Sequence, residues 1–279
     1  MTVCTTISDL KRLLLLHRKS GKTIGFVPTM GALHRGHMSL IHRAKSETNI
    51  VVCSIFVNPT QFNNAHDLAV YPRTLDADCE MLEKANCDYV FAPSAPEMYP
   101  IPHQIKFDFG NLEHVMEGKF RPGHFNGVGI VVSKLFNIVQ PDKAFFGQKD
   151  IQQCAVINRL IIDLSFQIDL VICETEREND GLAMSSRNRN LSEEQRKIAP
   201  KLYENMVLCR QFLQAGQSVA LVKDFMQNAL NQIDGIELEY FEIVDRTNLE
   251  SIKTYQQNQS AMCIAAFLGK TRLIDNMLI

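Results

Sequence analysis

The stretch FVPTMGALHRGHMSLIHRA, residues 26–44, contains the features that decide the fold. An apolar run at residues 23–28 predicts a buried strand, and the glycines Gly31 and Gly36 predict a turn after it. A helical pattern follows at residues 36–46. Because a strand that leads at once into a helix is typical of a βαβ unit, we expect a parallel sheet at this point.

The same alternation continues through the first two thirds of the chain. Further strands are predicted at residues 49–57, 88–92, 143–146 and 166–173, and further helices at 74–85, 125–139 and 150–162. The fold class expected is therefore α/β, with a doubly wound, Rossmann-like parallel sheet. Such sheets bind their ligands beyond the carboxyl ends of the strands.

The pattern changes near residue 175. A polar segment leads into two helical segments separated near Gly216, and strand-like runs follow at residues 237–244 and 261–268. We therefore predict two domains: residues 1–175, which bind the ligands, and residues 176–279, a smaller α+β domain that acts as a lid.

Composition narrows the class of protein. The 279 residues carry a formal net charge of -2, so no overall charge attracts nucleic acid or an acidic membrane surface. The eight cysteines form no C-x-x-C pair, which favours reduced cysteines in a cytoplasmic protein over disulfides or a zinc site. The N-terminal leucine run predicts an amphipathic helix rather than a signal peptide, and no run approaches the length of a membrane span.

His34 and His37 flank Arg35 and Gly36 where the predicted strand gives way to the helix. They are open to three interpretations: polar residues at a junction, zinc ligands, or groups that bind phosphate. Zinc needs more ligands, and the other histidines are dispersed. Phosphate is favoured because backbone amides and the positive end of the helix dipole face the ligand at this position.

Further blocks accompany H-R-G-H and support one resemblance. They are PTMGALHRGH (28–37), VNPTQF (57–62), YPRTLDAD (71–78), RPGHFNGV (121–128), FFGQKD (145–150) and DGLAMSSRN (180–188). H-R-G-H resembles the HIGH motif of the nucleotidyltransferase superfamily, and the blocks in this order closely resemble the pantothenate synthetase (pantoate–β-alanine ligase) family. The resemblance implies an ATP-dependent ligase that joins pantoate to β-alanine through a pantoyl adenylate, releasing AMP and pyrophosphate.

The resemblance also implies which residues form the site. His37, His34 and Lys149 would be the catalytic residues, with His37 either a proton donor or a group that stabilises charge. ATP would be bound by residues of four segments: Met30, Gly31, Ala32, Leu33, His34, Arg35, Gly36 and His37; Gly147, Gln148, Lys149 and Asp150; Glu176; and Met184, Ser185, Ser186 and Arg187.

The substrate residues combine chemistry with the resemblance. Asn58 and Gln61 follow a predicted strand, where an amide can donate and accept hydrogen bonds, although Asn-Pro is also a common turn. The resemblance implies that Gln61 binds both pantoate and β-alanine, that Asn58 supports it, and that Gln153 binds pantoate. Mg²⁺ is expected with ATP, and Asp78 is a candidate to hold it through water.

One block departs from the aminoacyl-tRNA synthetase form of the superfamily. The segment Met184-Ser185-Ser186-Arg187 is similar to the KMSKS loop, but Ala183 and Ser186 stand where that loop has lysines. With no basic extension either, a nucleic-acid partner is not expected. The alternatives are an adenylyltransferase with a phosphate acceptor and a nucleotide-binding module without chemistry. The expected partners are small molecules, with no membrane, and the resemblance implies a homodimer.

Overall fold

The computed structural model of the chain describes residues 1–62 and 65–279. These residues divide into two compact units, each discontinuous in sequence. Unit 1 consists of Met1–Gly147 and Val156–Glu174, and unit 2 of Gln148–Ala155 and Thr175–Ile279. The predicted first domain included residues 148–155, whereas the structure groups that segment with the C-terminal residues.

Unit 1 contains a six-stranded sheet in which every pairing is parallel. The strand order is β1-β4-β3-β2-β5-β6. The strands are β1 Thr2–Cys4, β2 Ile24–Thr29, β3 Ile50–Ile55, β4 Tyr89–Phe91, β5 Lys143–Gly147 and β6 Asp169–Cys173. The order reverses at β2, because β3 and β4 lie to one side of it and β5 and β6 to the other. This reversal is the point at which open α/β sheets bind ligands.

Helices cover both faces of this sheet. Successive strand residues point to opposite faces, and in β2 the ring of Phe26 packs against Phe136 of one helix while Val27 joins a core cluster with Ile41 of another. The helices that lie wholly in unit 1 are α1 Ile7–Lys19, α2 Arg35–Glu47, α3 Ala65–Val70, α4 Leu75–Lys84, α5 Ala95–Met98, α6 Met116–Phe120 and α7 His124–Val139. Helix α8, Ile151–Asp163, begins in unit 2 and ends in unit 1.

Unit 2 is a three-stranded antiparallel sheet with helices. The strands β7 Ile236–Asp245, β8 Ser260–Leu268 and β9 Thr271–Leu278 pair in that order. Helices α10 Lys201–Gln214 and α11 Val219–Asn231 supply buried residues to its core, and α9 Glu193–Ile198 packs against that core through Ile198. The core is apolar and includes Met206, Met226 and Ile264, each fully buried.

The fold class expected from the sequence is confirmed: a parallel α/β sheet and a smaller α+β part. The predictions missed β1 and β9 and several short helices. Among the described residues, no helix is both long enough and apolar enough to cross a membrane. All eight cysteines are free, and seven of them are buried.

Candidate active site

His34 and His37 lie at the start of α2, just beyond the carboxyl end of β2. His34 is the N-cap, and its Nδ1 accepts a hydrogen bond from the backbone N–H of Gly36 at 3.2 Å. The Nδ1 of His37 accepts from the backbone N–H of His34 at 3.3 Å. The two rings lie 4.1 Å apart between centroids. The pair thus forms a reciprocal capping box that satisfies two backbone amides of the first turn.

This geometry settles the tautomer of both rings. A backbone N–H can only donate, so each Nδ1 must accept and carries no proton. In the neutral imidazole the proton then lies on Nε2, because one ring nitrogen donates when the other accepts. Both histidines are therefore Nε2–H donors at the positive end of a helix, which suits the binding of an anion.

The loop before the histidines is held by Asp78, from α4. Asp78 is 2% exposed, and its carboxylate accepts hydrogen bonds from the backbone N–H groups of Ala32, at 3.0 Å, and Leu33, at 2.8 Å. Thr74 donates its hydroxyl to the same carboxylate. Ala32 has a φ of 52°, a left-handed conformation that costs a non-glycine residue energy, so the loop needs this support.

The environment of Asp78 bears on its predicted contact with Mg²⁺. Two backbone amides and a hydroxyl already bond to the carboxylate, an arrangement that favours a positioning role for it. Among the described residues, no group of three or more histidine, cysteine or acidic side chains is placed to hold a metal ion. The magnesium contact of Asp78 stays a prediction.

Asn58 and Gln61 belong to a tight turn beyond the carboxyl end of β3. Residues Pro59–Gln61 form a 3₁₀ turn with Asn58 as its N-cap. The turn packs on α7 where Gly127 leaves room: a Cβ at Gly127 would lie 2.1 Å from the carbonyl oxygen of Thr60. The Nδ1–H of His124 donates to the carbonyl oxygen of Gln61 at 3.0 Å, because a carbonyl can only accept. Asn58 is a turn residue, as one interpretation of the sequence held, and it is fully buried.

In unit 2 the segment that follows β5 forms a second tight turn. Gln148–Asp150 is a 3₁₀ turn that leads into α8. Its position depends on β9: the Nδ2 of Asn276 donates to the carbonyl oxygens of Gln148, at 2.8 Å, and Lys149, at 2.9 Å. Gln153, one turn further along, is half-buried on α8. No role was predicted for Asn276, because the last ninety residues contain little that resembles a family motif.

The Met184–Arg187 loop lies in unit 2 together with Glu176. Met184 donates its backbone N–H to the carbonyl oxygen of Glu176 at 2.9 Å. Ser185 caps a short 3₁₀ turn, Ser186–Asn190, by accepting from the backbone N–H of Arg187. Ser185 and Lys149 line the same narrow cavity of about 10 Å³, space for one water. Unit 2 therefore brings together three of the four segments in which nucleotide contacts were predicted, apart from Gly147, which belongs to unit 1.

An ion pair that the sequence did not reveal supports this loop. The guanidinium of Arg177 makes two hydrogen bonds to the carboxylate of Asp275, at 2.6 and 3.0 Å, and a third to the carbonyl oxygen of Gly181. It also stacks 3.9 Å from the centroid of the Tyr203 ring. Burial raises the pKa of the Asp275 carboxyl, and the Arg177 charge opposes that rise.

Replacing Arg177 with methionine is expected to lower the free energy of unfolding by about 3–5 kcal/mol, because a buried carboxylate loses its cation. The side chains of Arg177 and Asp275 are 19% and 5% exposed. Urea unfolding followed by circular dichroism measures the loss. The matched control is Arg196→Met, which removes a more exposed pair with Asp180 and should cost less than about 1 kcal/mol. Equal losses in both variants would contradict the assignment.

Comparison with known proteins agrees with this architecture. The pantoate-beta-alanine ligase family model matches residues 2–278. A pantothenate synthetase of Bacteroides thetaiotaomicron is 48% identical over 278 residues, covering 99% of this chain and 98% of the relative. One from Phocaeicola vulgatus is 50% identical over 279 residues, covering 99% of each.

Solved structures give the same result. The crystal structure of pantothenate synthetase from Thermus thermophilus matches with a TM-score of 0.94 at 40% identity, covering 100% of this chain and 99% of that one. A pantoate-beta-alanine ligase from Francisella tularensis, complexed with beta-gamma ATP and beta-alanine, matches with a TM-score of 0.82 at 36% identity, covering 100% and 97%. Fold and relatives thus define an α/β enzyme of the ligase class. The chain belongs to the pantoate-β-alanine ligase family.

Proposed function

We propose that the protein condenses (R)-pantoate with β-alanine at the expense of ATP. A carboxylate oxygen of pantoate attacks the α-phosphorus, the bond from that phosphorus to the bridging oxygen breaks, and pyrophosphate leaves. The ammonium group of β-alanine loses one proton, the resulting amine attacks the acyl carbon of the pantoyl adenylate, the bond to the AMP oxygen breaks, and the nitrogen gives up a second proton. The products are pantothenate, AMP and pyrophosphate. By likeness to its family, the enzyme is a cytoplasmic homodimer.

The observation that carries this proposal is that the Nδ1 atoms of His34 and His37 both accept backbone hydrogen bonds, which leaves an Nε2–H donor on each neutral ring. Negative charge grows on the phosphate oxygens as pantoate attacks, and fixed donors aimed at growing charge lower the barrier. Each ring is held by a backbone hydrogen bond, so little reorganisation accompanies the reaction. Because no side chain has to act as a nucleophile, catalysis of this kind is alignment and charge stabilisation.

The other unit 1 residues of the proposed ATP site hold that geometry. The backbone of Met30, Gly31, Ala32 and Leu33 forms the loop beside the phosphates, and the hydrogen bonds of Asp78 support its left-handed residue. Arg35 is exposed and Gly36 is half-buried, so a cation and an open backbone lie at the same helix start. Gly147, at the end of β5, has nothing within 4 Å of the position its Cβ would occupy. The exposed start of α2 and the open position beside Gly147 leave space for a nucleotide.

The unit 2 residues would bind the rest of the nucleotide. Lys149 supplies a cation for the triphosphate, with Gln148 and Asp150 beside it in the turn held by Asn276. Ser185, Ser186 and Arg187 supply hydroxyls and a guanidinium for the pyrophosphate that leaves. In the proposal, the backbone of Glu176 contacts adenine and Met184 lies beside it.

The substrate contacts are proposed from the amide side chains. Gln61 would bind pantoate and β-alanine, and Gln153 would bind pantoate. Asn58, fully buried, would act by holding Gln61. Mg²⁺ bound with ATP would neutralise triphosphate charge, and the phosphate oxygens would supply most of its ligands.

One assay tests the proposed function. The protein is mixed with Mg-ATP, pantoate and β-alanine, and AMP is measured by chromatography; AMP is expected only when both organic substrates are present. Pantoate with ATP alone should exchange labelled pyrophosphate into ATP, because the first step is reversible. AMP formation that does not depend on β-alanine, or transfer of AMP to a phosphate acceptor, would overturn the proposal.

A further inference from the structure

The amide of Asn58 has only one possible orientation. The backbone N–H of Thr60 donates to one end of it, at 3.4 Å, so that end is the oxygen Oδ1. The other end faces the carbonyl oxygen of Gly127 at 3.3 Å, so it must be the nitrogen Nδ2. Backbone groups cannot exchange donor for acceptor, and this removes the usual ambiguity of an asparagine side chain.

The orientation of Asn58 in turn fixes Gln61. The Nδ2 of Asn58 lies 3.0 Å from the amide of Gln61, and since Nδ2 only donates, the atom that faces it must be the oxygen Oε1. The backbone of Gln61 is held as well, by the hydrogen bond from His124 to its carbonyl oxygen. The end of Gln61 that Asn58 does not hold is therefore its Nε2–H₂ group, which can only donate.

Tyr99 completes the chain of hydrogen bonds. Its hydroxyl lies 2.8 Å from the Oδ1 of Asn58 and must donate to it, because Oδ1 has no hydrogen. Burial raises the pKa of the Tyr99 hydroxyl, against a smaller opposing effect of the Thr60 hydroxyl, so the donor stays protonated at neutral pH. The hydrogen bonds run in one direction, from Tyr99 to Asn58 to Gln61.

We infer that Tyr99 is a positioning residue that, through Asn58, holds the Gln61 amide with its N–H donors toward the substrates. The inference rests on the proposed function and specifies which substrate atoms Gln61 binds. Donors select acceptor oxygens, so Gln61 binds the carboxylate and hydroxyl oxygens of pantoate and the carboxylate of β-alanine. It does not bind the ammonium group of β-alanine, which only donates. The two substrates thus share one contact because both offer acceptor oxygens.

Two substitutions of Gln61 test the orientation. Gln61→Ala removes the donors and is expected to raise the KM values for pantoate and β-alanine roughly 10- to 100-fold, the worth of a hydrogen bond to a charged group. Gln61→Glu keeps an oxygen toward Asn58 but turns a carboxylate toward the substrate carboxylates. It is expected to be worse than alanine by about tenfold, because like charges repel. A Glu variant that binds the substrates better than the Ala variant would show the opposite orientation and overturn the inference.

A double-mutant cycle tests the role of Tyr99. Tyr99→Phe is expected to raise both KM values roughly 2- to 12-fold, with kcat and the KM for ATP nearly unchanged. In the Gln61→Ala background the same substitution should change nothing further, because Tyr99 acts through Gln61. If Tyr99 had only a structural role, Tyr99→Phe would lower stability equally in both backgrounds, and its effect on KM would not depend on whether Gln61 is present. The matched control is Tyr89→Phe, which removes a hydroxyl bonded to His17 at the amino end of β4 and should leave all KM values unchanged.

The outcomes separate the inference from the function on which it rests. If the unaltered protein forms pantothenate and Tyr99→Phe raises KM equally with and without Gln61, the positioning role is overturned while the proposed function stands. If the KM values of Tyr99→Phe equal those of the unaltered protein, the positioning role is likewise overturned and the proposed function still stands. If the unaltered protein forms no pantothenate, the proposed function fails and the role of Tyr99 fails with it.

Discussion

Replacing His37 with alanine is expected to lower the rate of pantoyl adenylate formation about 10²- to 10³-fold while the chain stays folded. The proposed reaction loses one of two Nε2–H donors that stabilise charge on the phosphate, and removal of one such donor costs about this much. The helix also loses a capping contact worth about 1 kcal/mol, which leaves the fold intact. Exchange of labelled pyrophosphate into ATP, dependent on pantoate, measures this first step alone.

A second substitution at this position asks whether His37 transfers a proton. Glutamine at the third helical position can restore the capping box through its Oε1 and still present an N–H donor. If His37 only donates a hydrogen bond, His37→Gln should recover part of the activity lost in His37→Ala. Glutamine as inactive as alanine would favour proton transfer. His42→Ala, on the same helix but exposed, is the control and should behave as the unaltered protein. Near-normal exchange in His37→Ala would refute the assignment of His37.

Gly127→Ala is expected to lower kcat/KM for pantoate roughly 100-fold. The new Cβ would lie 2.1 Å from the carbonyl oxygen and 2.6 Å from the carbonyl carbon of Thr60. Backbone atoms cannot rotate away as a side chain can, so the turn that contains Gln61 must shift by about 1 Å. A displacement of this size at an active site can lower kcat/KM roughly 100-fold. Steady-state kinetics with varied pantoate measures the effect, and the overpacked helix should also lose about 1–3 kcal/mol of stability.

The control lies two residues further along the same helix. At Gly129 an added Cβ would meet the rings of Phe109, at 2.8 Å, and Phe107, at 3.0 Å, rather than backbone. Gly129→Ala should therefore cost stability in a similar way but leave the KM for pantoate nearly unchanged. Loss of pantoate binding in both variants would mean that helix packing in general, and not the contact with the turn, controls the site.

The parallel sheet could be predicted because its strands are local apolar runs. In strand β2, for example, four successive residues are buried, and the same residues form an apolar run that is visible in the sequence. Strand β1 has only three residues and shows no period. Strand β9 contains Asp275 and Asn276, polar residues that are buried because Arg177 and the Gln148–Asp150 turn bond to them. Those partners lie far away in sequence, so the pattern of the strand resembles that of an exposed segment.

The site could be predicted only in part for the same reason. The position of His34 and His37 after a strand and at a helix start follows from local sequence, and the structure confirms that position. The contacts that orient the site join distant residues: Asp78 lies 46 residues from Ala32, and Tyr99 lies 41 from Asn58. No local pattern predicts such pairs, which form only when the folded sheet brings its loops together.

The hydrogen bond from Asn276 to the carbonyl oxygen of Lys149 joins residues 127 positions apart in the chain. At a synthesis rate of about 5–20 residues per second, roughly 6 to 25 seconds separate the translation of these two residues. Most of the strands of unit 1 are neighbours in sequence and can pair during that time. The Gln148–Asp150 turn, in contrast, gains its hydrogen bonds from Asn276 only after β9 has been synthesised. A nascent chain therefore completes its sheet well before it acquires the hydrogen bond that supports Lys149, the lysine proposed to bind phosphate, and translation itself sets the earliest moment at which that turn is complete.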